Sequence, residues 1–121
     1  MNAAEFSFTL PRGYVDREGR LHRDGRMRLA SAMDELEPLR EASVRSNPAY
    51  LPVLLLSRVV TQLGGLPQVY PSVIEDLPVA DFAYLQAMYQ RINEQGDNRL
   101  AVHCPSCAHR FEVEVQPLGE P

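Results

Sequence analysis

Residues 5 to 10, EFSFTL, alternate apolar Phe6, Phe8 and Leu10 with polar neighbours. That is the period of a half-buried strand, in which successive side chains point to opposite faces. After Pro11, two short runs flank Asp16, Arg17, Glu18 and Gly19. Asp favours the opening of a type I turn and Gly takes the left-handed conformation that closes a bulged hairpin, so residues 14 to 23 are expected to form one. The next piece, MRLASAMDELEPLREASVRSNP, supports two readings. Leu29, Met33 and Leu36 have helical spacing, while Ser31 followed by Asp34 and Glu35 has the form of a capped helix start after a brief strand. Pro38 is expected to end or bend the segment.

The clearest helix is predicted from Asn47, whose side chain can accept from the free amides of a first turn. Pro48 follows at the first helical position, where a missing N–H costs nothing. Pro52 removes an early hydrogen bond and moves the expected start toward Tyr50 or Leu51; Gly64 is the expected end. Leu55, Leu56, Val59, Val60 and Leu63 make a wide apolar surface opposite Arg58, Thr61 and Gln62, which marks this as the core helix. A loop with Gly65, Pro67 and Pro71 leads to a second helix, residues 79 to 95, stopped by Gly96. Phe82, Leu85, Tyr89 and Ile92 line one of its faces, with Met88 beside them. The pair is expected to be antiparallel. EQGDN then reads as a linker, and from Arg99 the pattern is strand, cysteine turn, strand and a tail containing Pro and Gly. The expected class is therefore α+β: N-terminal β-hairpin elements, an antiparallel helix pair, and a C-terminal β-hairpin with a Cys-x-x-Cys turn. It divides into residues 1–98 and 99–121.

Composition narrows the function classes. A chain of 121 residues, 45% hydrophobic with 10 prolines, suits one compact domain with a small appendage. The N-terminal stretch lacks the basic flank, apolar run and cleavage site of a signal peptide, and a cytoplasmic location, reducing for its cysteines, is expected. The longest apolar run, residues 50 to 60, is short of the roughly 20 residues needed to span a bilayer and contains Pro52 and Arg58. A net charge of −4 argues against a general nucleic-acid footprint. All twelve basic residues are arginine, and six of them fall between Arg12 and Arg28 against three acids. That segment is either a solvated hairpin or a contact surface for acidic groups, with Arg17, Arg20 and Arg23 as its candidate contacts.

Candidate chemistry centres on HCPSCAH. A Cys-x-x-Cys turn between two strands has the geometry of a zinc knuckle: both sulfurs face one side, and backbone N–H groups stabilise the thiolates. Cys104 and Cys107 supply two ligands, with His109 the best-placed imidazole and His103 and the distant His22 the others. Three explanations stand: zinc completed by histidines or by a partner's residues, a metal-free remnant of a ribbon, and a redox pair. The redox reading is weakened by the strand-like HRFEVEV that follows, since reactive pairs usually open a helix. A dimer sharing one ion would supply four thiolates. Asp34, Glu35 and Glu37 cluster in sequence, but acids in a first helical turn usually serve the helix dipole. Neither Ser31 nor Ser57 has a histidine at suggestive spacing, no Gly-rich phosphate loop occurs, and the five tyrosines read as packing. An enzyme is not expected.

LPRGYVDREGRLHRDGRMRLASAMDE (10–35), NPAYLPVLLLSRVVTQLG (47–64) and IEDLPVADFAYLQAMYQRIN (74–93) resemble the small tail-assembly proteins of contractile phages and phage-derived injection systems, including the baseplate-hub assembly proteins of T-even phages. The resemblance covers residues 6 to 115 and matches Gly13, Tyr14, Arg28, Asp34, Glu35, Arg58, Asp81 and Leu85. It implies a non-enzymatic assembly chaperone that holds hub, spike or tail proteins in the cytoplasm until the baseplate closes. Arg28, Asp34, Glu35, Arg58 and Asp81 would then be partner contacts or intramolecular pairs. The family often closes with a cysteine turn, but Ala108 replaces the usual glycine and the second cysteine pair of a full ribbon is absent. A stoichiometric structural component of the baseplate and a zinc-ribbon nucleic-acid-binding module are the alternative readings.

Overall fold

The computed structural model describes residues 4–95, 99–103 and 110–114. Strands β1 (Glu5–Val15), β2 (Leu21–Arg28) and β3 (Val60–Leu63) form an antiparallel sheet in that order. Around it run α1 (Ala32–Leu36), α2 (Ala42–Ser46), α3 (Leu51–Val59), α4 (Pro71–Glu75) and α5 (Val79–Gln95). The class is α+β, as expected. A separate antiparallel pair, β4 (Arg99–His103) and β5 (Arg110–Glu114), follows, in register from Arg99 opposite Glu114 to His103 opposite Arg110. Cys104, Cys107, His109 and Gly96 lie outside the described residues.

The hairpin turn forms as its sequence predicts. Asp16 accepts from the backbone N–H groups of Glu18 (2.8 Å) and Arg20 (2.9 Å), and Gly19 takes a φ of 81°. The first strand is longer than the EFSFTL alternation suggests, continuing through Pro11 to Val15. Its ladder breaks between Thr9 and Tyr14, and Pro11 falls in that break, where no ladder donor is required of it.

Phe6, Phe8 and Leu10 enter the core beside Met27. Phe8 pairs with Gly25, and its ring occupies the space a side chain there would need: an added Cβ would lie 2.5 Å from the Phe8 Cζ and 2.4 Å from the Gln62 carbonyl oxygen. Ser7 and Thr9 face away from the core, and Thr9 donates to the Asp24 carboxylate at 2.9 Å.

Of the two readings of the segment after β2, the capped start is the one found. Ser31 and Asp34 form a reciprocal capping box, and α1 is a single short helix followed by a 3-10 turn, Glu37–Arg40, that contains Pro38. Asn47 caps as predicted, accepting from Ala49 N–H at 3.2 Å, but it opens a 3-10 turn over Pro48–Tyr50 before α3 begins at Leu51.

The helix expected to reach Gly64 stops at Val59, and Val60–Leu63 turn into β3. Consecutive β-branched Val59, Val60 and Thr61 favour extended backbone, and the outer edge of β2 offers donors and acceptors to pair with it. Both arrangements keep Val60 and Leu63 buried, so spacing alone does not separate them. The second helix has the expected bounds, and Leu85, Met88 and Ile92 meet Leu56 and Val59 in one core. Part of the intervening loop is helical, and Val73 and Ile74 of α4 join that core. No helix among the described residues is long and apolar enough to cross a membrane.

Candidate functional site

Most of the charged residues singled out by sequence lie where elements meet. Asp34 is buried at the start of α1, where its carboxylate takes a forked pair of bonds from Arg28 at 2.7 and 3.0 Å. It also accepts from the Arg58 Nε at 3.1 Å and the Ser31 backbone N–H at 2.8 Å. Arg28 donates further to the carbonyls of Leu29 and Arg58. One carboxylate thus joins the end of β2, the start of α1 and the end of α3. The Arg28 fork, followed by Ser31 and Arg58, holds the Asp34 carboxyl well below the usual range against the opposing effect of burial.

Glu35, next in sequence, accepts from the Tyr89 hydroxyl and so links α1 to α5. Burial first, then this carboxylate, push the Tyr89 phenol above its ordinary value. Asp81, fully buried in the first turn of α5, accepts from the backbone N–H groups of Arg12 (3.0 Å) and Gly13 (2.6 Å). Gly13 has a φ of 101°, inside the break in the β1 ladder. Leu85 is core, and Tyr14 lies partly buried with its ring 6.3 Å from that of His22.

His22 is not free to ligate a metal, as the sequence allowed. Its Nδ1 accepts from Gly65 N–H at 3.2 Å and its Nε2 meets the Asp16 carboxylate at 2.8 Å. With Nδ1 accepting, the proton of a neutral ring sits on Nε2 and is donated to Asp16. That bond is the first cause holding the Asp16 carboxyl below its usual range. The signal for this arrangement was the Gly64-Gly65 doublet: a Cβ on Gly64 would lie 2.2 Å from the His22 Nδ1.

Arg17 and Arg20 are exposed at the hairpin tip, Arg20 beside Glu18 at 3.6 Å with both side chains more than two-thirds exposed. Arg23 differs: its guanidinium folds back onto the carbonyls of Leu10 (3.0 Å) and Pro11 (3.3 Å). Among the described residues, no group of three or more His, Cys, Asp or Glu is placed to hold a metal ion. A groove between α3 and α5 is lined by Leu51, Pro52, Leu55, Leu56, Gln86 and Tyr89, walls suited to an apolar side chain.

The fold and these contacts define a small α+β domain whose buried carboxylates tie its elements together and whose arginine-bearing hairpin tip faces solvent. Comparison of the chain with protein-family models, with curated proteins and with solved structures found no match.

Proposed function

We propose that the chain is a non-enzymatic assembly chaperone or adaptor for the baseplate hub or tail of a contractile phage tail-like particle, acting in the cytoplasm on hub, spike or tail proteins. The order of the three segments that resemble tail-assembly proteins motivates this reading. The observation that carries it is the hairpin tip, where Arg17 and Arg20 stand exposed on a turn braced by Asp16, a rigid cationic contact for an acidic protein surface. Arg28, Asp34, Glu35, Arg58 and Asp81 act in this reading as ties that hold the elements of the domain together, rather than as contacts themselves. The C-terminal strand pair, with the residues between His103 and Arg110, is the proposed zinc knuckle, held by Cys104, Cys107 and His109. Zinc would supply structural cross-linking there and no catalysis.

The test is a pull-down with the intact chain from lysate containing all the tail proteins, beside Arg17→Glu/Arg20→Glu. Arg23 is left unchanged because it braces the strand break. A tail component should be retained by the wild type and lost from the folded double variant, with single changes graded because exposed charge pairs contribute only about 0–1 kcal/mol each. Mass spectrometry of finished particles should find the chain absent or strongly substoichiometric. A fixed whole-number ratio to baseplate subunits would instead establish the structural-component reading.

A further inference from the structure

We infer that the chain associates with itself, the tip of the β1–β2 hairpin of one copy seating on the α1 surface of another. The inference stands on this chain alone and does not depend on the assembly reading.

Two exposed apolar patches of opposite charge lead to it. At the tip, Val15 and Leu21 are paired across the last rung of the hairpin, at 60% and 57% exposure. Arg12, Arg17 and Arg20 are exposed around them, and among the described residues no carboxylate pairs with Arg12 or Arg17. Over α1 and the 3-10 turn after it, Met33, Leu36 and Leu39 are 47–54% exposed. Glu35, Glu37 and Glu41 alternate with them, and the one arginine among them, Arg40, is 3.7 Å from Glu37. Large apolar side chains exposed in groups, rimmed by charge, are the usual mark of a contact surface. With Arg20 beside Glu18 at the tip and Arg40 beside Glu37 over α1, the tip keeps an excess of positive charge and the α1 surface an excess of negative charge.

Their placement decides the mode. Arg28, at the far end of β2 from Leu21, is bonded to Asp34 of α1, so the acidic patch sits at the opposite end of the ladder from the tip. Seven residues of strand at about 3.3 Å each separate the two ends by about 23 Å. A chain cannot fold its own tip onto its own α1. Pairing tip with tip, or α1 with α1, would set like charges together, so the tip of one copy meets the α1 surface of another. That contact is either reciprocal between two copies, closing a two-fold dimer, or passed from copy to copy in a ring or string. The hairpin is prepared for it, since Asp16 fixes the turn and the His22 to Gly65 bond fixes the hairpin to the loop after β3. The exposed local pairs, Arg20 with Glu18 and Arg40 with Glu37, are weak enough to exchange for contacts between copies.

The experiment is sedimentation equilibrium on the full chain from about 10 µM to about 1 mM, the range of weak interfaces, at low and at high salt. Two charge-reversed variants, Arg17→Glu/Arg20→Glu and Glu37→Arg/Glu41→Arg, are measured alone and mixed, with circular dichroism confirming their fold. The wild type should gain mass with concentration and lose it as salt screens the charges. Each variant alone should stay a single chain, because its tip and its α1 surface then carry the same sign. The equimolar mixture should recover association, since each variant's tip now opposes the other's patch. Val15→Ser/Leu21→Ser, which leaves the charges unchanged, should weaken association at least tenfold and replaces any charge variant that does not fold. A wild type of single-chain mass throughout, association unchanged in either folded variant, or a mixture that stays monomeric would overturn the inference.

Discussion

Asp81 and Gly13 are bonded across 68 residues of chain: the buried carboxylate at the start of α5 accepts the Gly13 backbone N–H at 2.6 Å. The ladder break between Thr9 and Tyr14 leaves this donor and that of Arg12 without ladder partners, and a buried N–H without an acceptor is costly. One side chain satisfies both. The same contact places the first turn of α5 against the sheet, so a local irregularity in β1 determines where a distant helix begins to pack.

Removing that carboxylate should therefore act on the whole domain. Asp81→Ala is expected to cost about 3 kcal/mol, the scale of one to two lost charge-assisted bonds to buried donors, and to lower the melting temperature by about 10 °C. Gly13→Ala should also destabilise, because a φ of 101° strains any other residue and the new Cβ would stand 2.6 Å from the Arg23 Cγ. Thermal unfolding followed by circular dichroism checks both. Melting within a degree of wild type in Asp81→Ala would show that the two N–H groups find other acceptors.

Asp34 should make stability pH-dependent on the acidic side. Its carboxyl is held below the unfolded value, so its contribution is complete above an ordinary aspartate pKa of about 3.9 and is lost as pH falls toward the folded value. Urea unfolding at pH 7, 5 and 3 should show a steepening loss below about pH 5. Asp34→Asn should cost about 3–5 kcal/mol at pH 7, since two arginines lose their charged partner, and should flatten that acidic loss. An unchanged pH profile in the variant would assign the acid sensitivity to other carboxylates.

The hydrogen bonds of His22 specify its tautomer. Nitrogen chemical shifts of the neutral ring should report a proton on Nε2 and an accepting Nδ1, and the Gly65 amide should exchange slowly with solvent. Gly64→Ala should remove that protection, because its Cβ would displace the ring. An Nδ1–H signal in the wild type would reverse the assignment of donor and acceptor.

Zinc content tests the C-terminal turn. Protein purified after expression in zinc-supplied medium should carry one ion or less per chain, and Cys104→Ser/Cys107→Ser should carry background metal only. Wild-type metal at that same background would remove the zinc proposal and leave a plain turn.

Some of this structure was legible from short windows of sequence, because its causes are local. The turn at Asp16 to Gly19, the Asn47 cap and the bounds of α5 each rest on residues within a few positions of one another. The capping box at Ser31 and Asp34 was visible for the same reason, but the burial of Asp34 was not. Its arginines come from positions six and twenty-four residues away, and the acids of Asp81 and Glu35 find partners still farther along the chain. Read alone, such residues look like exposed contacts.

The fate of Val60 to Leu63 was open in the same sense. Their apolar spacing satisfies a helix, and the outer edge of β2 made them a strand, since only in the assembled sheet are those backbone donors and acceptors present to be paired. Sequence by itself determined caps, turns and the apolar stripes that must be buried. Tertiary structure alone decided which charged side chains became interior ties and which arginines stayed in water, because burial and long-range hydrogen bonding depend on what the rest of the chain brings alongside.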